Sequence, residues 1–367
     1  MVAHGHRRFA TRLLQLARRS MSKSEFDKAN NSLNLRVGEW VEVKSAEEIL
    51  ATLDDVQSVD ALPFMPEMLP YCGKRFRVYK SAHKISDTIE LFTIRRMKNA
   101  VFLDELRCDG AAHGGCQAGC LLVWKESWLK RVSKGQSDSG HPSAESEPSI
   151  EMSNCAVNVD SLVRATKRFA GEGGPARYKC QATEMLKATT EVRRRDRFNP
   201  LFYVRDLTSG NVNLFDFIRF GALAMLNGFL RRWFRTTIPR VRGLAGEKTP
   251  SCDLNLQPGE LVRVKSKAEI MRTLNSKSRN RGLWFDVEML QYCGKGPFRV
   301  LRRAENFLNE KTGEMLKPRN ACILLEGVTC SGNYSHQRMF SPRHEYNFWH
   351  EIWLERISPD KVNADRV

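Results

Sequence analysis

The chain has 367 residues, 41% of them hydrophobic, which allows more than one buried core and excludes a wholly disordered polymer. Its formal charge of +17 favours contact with nucleic acid, an acidic protein or an anionic membrane face; the other reading is a chain that is simply basic. Ten cysteines are too few for a disulfide scaffold at this length, and His4 to Arg8 lead into no long apolar core of a secretory signal. A reducing, cytoplasmic setting is therefore the expectation.

Residues 1–33 read as a basic extension, with leucines at helical spacing between Arg7 and Arg19. A first module is expected over 34–132. It opens on Gly38-Glu39-Trp40-Val41-Glu42-Val43-Lys44, where apolar and polar side chains alternate with the two-residue period of a half-buried strand. Ser45, with Glu48 three residues on and Ile49 and Leu50 following, predicts a capped short helix. Further strands are expected at Lys74–Tyr79, Glu90–Ile94, Ala100–Leu106 and Cys120–Trp124. The pair Trp124 and Trp128 is expected in the core. His83, Lys84 and Asp87 form a polar cluster, with His83 expected at the surface.

Residues 133–157 are rich in serine, glycine and proline and read as a flexible linker. A very basic middle region follows over 158–254. Its Cys180, with Glu184 nearby, lacks an evident general base. An apolar helix is expected at 213–235, interrupted by Asp216, Arg219 and Asn227, which argues against a membrane span. The preferred reading buries this helix between the modules; the other lays it on a membrane as an interfacial helix with a basic, tryptophan-bearing end.

The second module, 255–358, repeats the first, and 359–367 form a tail. Gly259-Glu260-Leu261-Val262-Arg263-Val264 matches the opening strand, and Phe285 to Lys295 matches Phe64 to Lys74. Trp349 and Trp353 match Trp124 and Trp128, and Cys293 matches Cys72 in the same Tyr-Cys-Gly string. So many anchors in one order make an internal repeat. The fold class expected is α+β, mainly β with α segments: two small, strongly bent β-barrels joined by the basic, partly helical middle.

Chemistry concentrates in Arg107-Cys108-Asp109-Gly110-Ala111-Ala112-His113-Gly114-Gly115-Cys116-Gln117-Ala118-Gly119-Cys120. The spacing Cys-x4-His-x2-Cys-x3-Cys offers three thiolates and an imidazole, a complete tetrahedral zinc set, and the small residues between permit the turns it needs. Cys108, His113, Cys116 and Cys120 are thus the candidate metal ligands, zinc first and an iron–sulfur cluster second. Thiols packed as small apolar groups, or used in redox or nucleophilic chemistry, are the other readings. In the second module Cys330 stands where Cys108 does, followed by His336, His344 and Glu345. That is a second candidate set or a lapsed copy.

The opening strands resemble those of SH3-like and KOW-type barrels over about a dozen residues, which implies SH3-like barrels for the two modules. The chain more broadly resembles a group of bacterial proteins that carry the Pro-Glu-Met, Tyr-Cys-Gly and Phe-Arg-Val strings, here within Pro66–Val78, and the Cys/His string of Arg107–Cys120. That resemblance implies no particular reaction. The function expected is a metal-binding assembly or binding protein with a basic face for an anionic partner such as nucleic acid. The alternative is an enzyme or accessory protein of bacterial biosynthesis that uses the Cys/His loop as a metal or thiol centre.

Overall fold

The computed structural model describes residues 32–90, 93–132, 155–168, 174–193, 195–196, 199–335 and 338–357. The basic extension but for its last two residues, most of the expected linker, the tail, part of the strand expected at Glu90–Ile94, and His336 lie outside them.

In chain order the first sheet uses β1 (Trp40–Val43), β2 (Arg75–Ser81), β5 (Ala100–Arg107), β6 (Leu121–Lys125) and β7 (Leu129–Arg131), with β3 (Lys84–Ser86) and β4 (Ile94–Arg96) in between. Its order is β6-β5-β2-β1-β7, every pairing antiparallel. The expected capped helix is α1 (Ala46–Leu50), with Ser45 and Glu48 closing a reciprocal capping box. The middle region contributes α2 (Cys155–Ala165), a short strand β8 (Thr190–Glu191) that pairs with β4, then α3 (Pro200–Thr208) and α4 (Leu214–Phe234).

The second sheet uses β9 (Leu261–Val264), β10 (Phe298–Ala304), β11 (Cys322–Leu325) and β12 (Leu354–Arg356), in the order β11-β10-β9-β12. A second capping box, Ser266 with Glu269, opens α5 (Lys267–Thr273). The chain is therefore α+β, built on antiparallel sheets.

The two sheets correspond in register. Val41 faces Arg131 and Val43 faces Leu129; Val262 faces Arg356 and Val264 faces Leu354. A bulge interrupts β2 between Val78 and Lys80, and β10 between Val300 and Arg302. The cores correspond as well. Phe64 meets Trp128 edge-on at 5.3 Å, and Phe285 meets Trp353 at 5.2 Å. All four of these tryptophans at 124, 128, 349 and 353 are fully buried, as their spacing predicted. Each edge-to-face ring pair adds about 0.5–1.5 kcal/mol beyond its area burial. Glu126 accepts hydrogen bonds from the backbone of Asn34 and Leu35, and Glu351 from Leu254, Asn255 and Leu256.

Two sequence expectations need correction. His83 is not a surface residue: it is 5% exposed, with Nε2 3.2 Å from the buried Asp206 carboxylate. Helix α4 is not buried between the modules. Only Phe220 and Asn227 on it are buried, and an apolar face is left outward.

One consequence of burial is pH sensitivity. His350 is packed on Trp353, with Nδ1 3.0 Å from Asn280 Oδ1. Burial, helped by Arg281, pushes its imidazole down from the ordinary 6.5 to about 4. Above 6.5 the ring is neutral folded or unfolded and contributes nothing. As pH falls from there toward 4, the unfolded chain takes up a proton that the fold refuses, so stability drops. The expected result is that His350→Gln removes on the order of 2 kcal/mol of the wild-type stability loss between pH 7 and pH 5 in urea unfolding. Identical pH dependence in both proteins would refute this.

Candidate metal centre

Strand β5 ends at Arg107 and β6 begins at Leu121, so the glycine-rich string is the loop between two paired strands. Its ends are closed by Cys108 N donating to Cys120 O at 2.8 Å. Inside, Gly110 takes φ +78° and its carbonyl accepts from His113 N and Gly115 N, which folds the chain back on itself. This turn brings the His113 ring to Cys108, with Nε2 and Sγ 3.7 Å apart. The other ring nitrogen, Nδ1, lies 2.9 Å from Glu67 Oε1.

Glu67 comes from the 3-10 helix Pro66–Tyr71, placed there by the Pro-Glu-Met string, and it also accepts from Ala112 N at 3.0 Å. Glu67, Cys108 and His113 are a group that could hold a metal ion, their ligand atoms within 4.8 Å of one another. The remaining carboxylate oxygen, Glu67 Oε2, is buried with no hydrogen-bond partner among the described residues. Burying that oxygen without a partner costs about 1–3 kcal/mol, and negative charge beside a thiol and an imidazole suits a nearby cation.

Of the expected ligands, Cys108 and His113 are in this group. Cys116 borders it as a second thiol close enough to the His113 ring for each to shift the other's protonation, and its Sγ accepts from Leu308 N at 3.4 Å. Cys120 shares the same cavity but faces a different neighbourhood. Arg343, only 6% exposed, pairs there with Glu310 at 3.0 Å and Glu345 at 2.7 Å. A thiol from the middle region, Cys180, lines the cavity too and feels the charges of His113 and Cys108. The cavity measures about 50 Å³, room for an ion or a few waters and little else.

Electrostatics in this pocket run against burial. Burial disfavours a charged His113, yet the thiols of Cys108 and Cys116 and the Glu67 carboxylate push it well above its ordinary value. Burial raises the Cys116 thiol, but the His113 ring and the backbone at Ala118 and Leu308 more than offset that and hold it low. Glu67 stays low because His113 outweighs its burial. Cys108 is pushed up by burial, and Cys180 is pushed up to about 11 for the same reason. None of the described cysteines is in a disulfide.

The loop from Cys330 to Glu345 has a similar backbone frame and different chemistry. Cys330 N donates to Glu345 O at 2.8 Å, the counterpart of the bond from Cys108 to Cys120. Glu288, the counterpart of Glu67, accepts from Tyr334 N and Ser335 N, where the first loop has Ala112 and His113. In register, then, serine replaces the imidazole and glutamate replaces Cys120. The second candidate set is not gathered among the described residues: His344 Nδ1 sits 3.0 Å from Tyr79 Oη, Glu345 pairs with Arg343, and Cys330 lies near Glu288 and Arg338.

Glu67 and Cys180 are the site residues that sequence spacing missed. Glu67 carried one signal, its recurrence as Glu288 inside a repeated apolar string. No protein-family model, curated protein or solved structure matches the chain.

Proposed function

We propose that this is a metal-binding assembly protein, in which a zinc ion braces the first of two duplicated SH3-like modules and a basic surface takes an anionic partner. The observation that carries the metal reading is the His113 ring set between a carboxylate and a thiol, with Glu67 Oε1 2.9 Å from Nδ1 and Cys108 Sγ 3.7 Å from Nε2. A carboxylate behind Nδ1 is the usual support of a metal-ligating histidine, fixing its tautomer and turning Nε2 toward the ion. Cys108 and His113 Nε2 would be two ligands, and the thiols of Cys116 and Cys180, which line the same cavity, would be candidates to complete the set.

The site's position favours a structural role. Gln117, inside the loop, bonds Glu305 and Asn306 of the second module, and Tyr178 N of the middle region donates to Gly313 O of the second module. An ion here would join three stretches of chain distant in sequence, and its binding energy would become folding energy. Cys116 is 7% exposed and the cavity is small, which leaves a substrate little access.

Cobalt titration of the metal-stripped chain tests this. Zinc-type thiolate ligation predicts a thiolate-to-cobalt charge-transfer band and tetrahedral visible bands, both abolished in Cys108→Ser and both kept in Cys330→Ser. A spectrum of octahedral, oxygen-ligated cobalt would rule out the thiolate centre. A chain that takes no cobalt while Cys116 turns over an electrophilic substrate would favour the enzyme reading instead.

A further inference from the structure

We propose that the outer face of α4, together with the arginine pocket at its C-terminal end, docks on an anionic phospholipid membrane, with the helix lying along the surface. This gives a chemical identity to the anionic partner proposed above and is independent of the metal centre.

Helix α4 is turned the wrong way for a helix that faces water. Its polar Asn227 is 4% exposed and bonded to both the N–H and the carbonyl of Ile238. Its outward side chains are large and apolar: Phe215, Ile218, Met225, Phe229 and Trp233 along one face, and Phe234 at the helix end, are 54–74% exposed. Among the described residues, the fold makes little use of this face for its own packing. It uses the opposite one, stacking Phe217 on Phe340 at 5.7 Å and setting Phe220 edge-on to Tyr334 at 5.4 Å.

A contiguous face of this kind marks an interaction surface, and its charges identify the partner. Exposed Arg219 and Arg232 flank the apolar stripe, and the helix's one acid, Asp216, is in the first turn, engaged with Asn213 at the helix start. Two copies of this face laid together would bring arginines against arginines with no carboxylate to answer them. Nucleic acid would answer the arginines and leave six large apolar side chains in water. A phospholipid surface answers both, with acyl chains for the stripe and phosphates for its rim. The tryptophan near the cationic end has the placement of an interfacial anchor.

The end of the helix leads into a second feature. Arg231 and Arg235, with Arg240, Thr236 and Thr237 from the segment that follows and Arg338 from the second module, line an open pocket beside Trp284. Among the described residues its one acid is Asp286, paired with Arg338 at 2.5 Å. Guanidinium forks and threonine hydroxyls in a concave site suit a lipid head-group phosphate. Among the described residues, no helix is long and apolar enough to cross a membrane, so α4 would lie in the interface.

The test is co-sedimentation of the full chain with vesicles of phosphatidylcholine, alone or mixed with phosphatidylglycerol. The proposal expects strong binding to the mixed vesicles and binding weaker by about ten-fold or more to the neutral ones. The double variant Phe229→Asp/Trp233→Asp should lose about ten-fold or more in vesicle affinity, with metal content and circular dichroism unchanged because both residues are exposed. Arg235→Glu/Arg240→Glu should lose affinity for the mixed vesicles only. A chain that stays in solution with mixed vesicles would overturn the proposal. So would a double variant that binds as well as wild type, since the basic extension would then be the anchor. A lipid-free wild-type dimer that the double variant turns into a monomer would also overturn it, in favour of a second copy. Metal analysis of the same samples reads the zinc centre separately, so either reading fails without the other.

Discussion

Replacing Asp206 by alanine is expected to cost the fold about 3–5 kcal/mol. Asp206 is fully buried on α3, and its carboxylate lies 2.5 Å from Lys84 Nζ and 3.2 Å from His83 Nε2. Lys84 is fully buried too. Its other partners are the carbonyl of Met339 at 2.9 Å and the ring faces of Tyr203, Phe340 and Phe202 at 4.7–5.7 Å. Burial already pulls the Lys84 ammonium below its ordinary pKa, against the pull of Asp206. Without the carboxylate, that charge would sit uncompensated in the interior where β3, α3 and the loop of the second module meet. The ammonium is the costly group, so removing it should restore stability: Lys84→Met/Asp206→Leu is expected to recover most of the loss. Urea unfolding of the three proteins reads this. A single Asp206→Ala within about 1 kcal/mol of wild type would show that the pair does not hold the junction.

Gly110→Ala is expected to open the Cys/His loop. At φ +78°, a methyl on Gly110 would lie 2.1 Å from the Cys116 carbonyl oxygen and 2.6 Å from its nitrogen. Neither is the end of a flexible side chain. The backbone at Cys116 is also held from outside, since Cys116 Sγ accepts from Leu308 N and Gln117 N donates to Asn306 O. The loop must therefore give up either its turn or its dock on the second module, at a cost of about 3 kcal/mol or more, with the Cys116 thiol displaced from His113. Gly115→Ala is the control. Gly115 also has a positive φ, +71°, but a methyl there meets nothing within 4 Å. It should cost only about 1–2 kcal/mol of backbone strain and leave metal binding intact. Equal losses in the two variants would mean that φ alone, and not the contact with Cys116, makes Gly110 necessary.

Much of the scaffold was legible because its signals are local. The alternation at Trp40–Val43, the Ser45–Glu48 box and the recurrence of the tryptophan pairs each depend on neighbours in sequence, and each appears in the structure. The Cys/His loop was legible by composition, and its contraction around Cys108 and His113 follows from the glycines within it. The completion of the site was not legible. Glu67 and Cys180 reach it from a 3-10 helix and from the middle region, and no periodicity links them to the loop. Asp206 was equally silent, since what makes it matter is Lys84, more than a hundred residues away. Helix α4 misled for another reason. Its apolar length predicted burial, but the fold covers only the side that carries Phe220 and Asn227.

Cys108 and His113 are proposed to hold a metal ion with Glu67 behind the ring. Elemental analysis of freshly purified protein, on wild type and on Cys108→Ser, His113→Ala and Cys330→Ser, tests it most directly. About one zinc per chain is expected in wild type and in Cys330→Ser, and little or none in the other two. Wild-type protein without a transition metal, or zinc retained in full by both Cys108→Ser and His113→Ala, would contradict it.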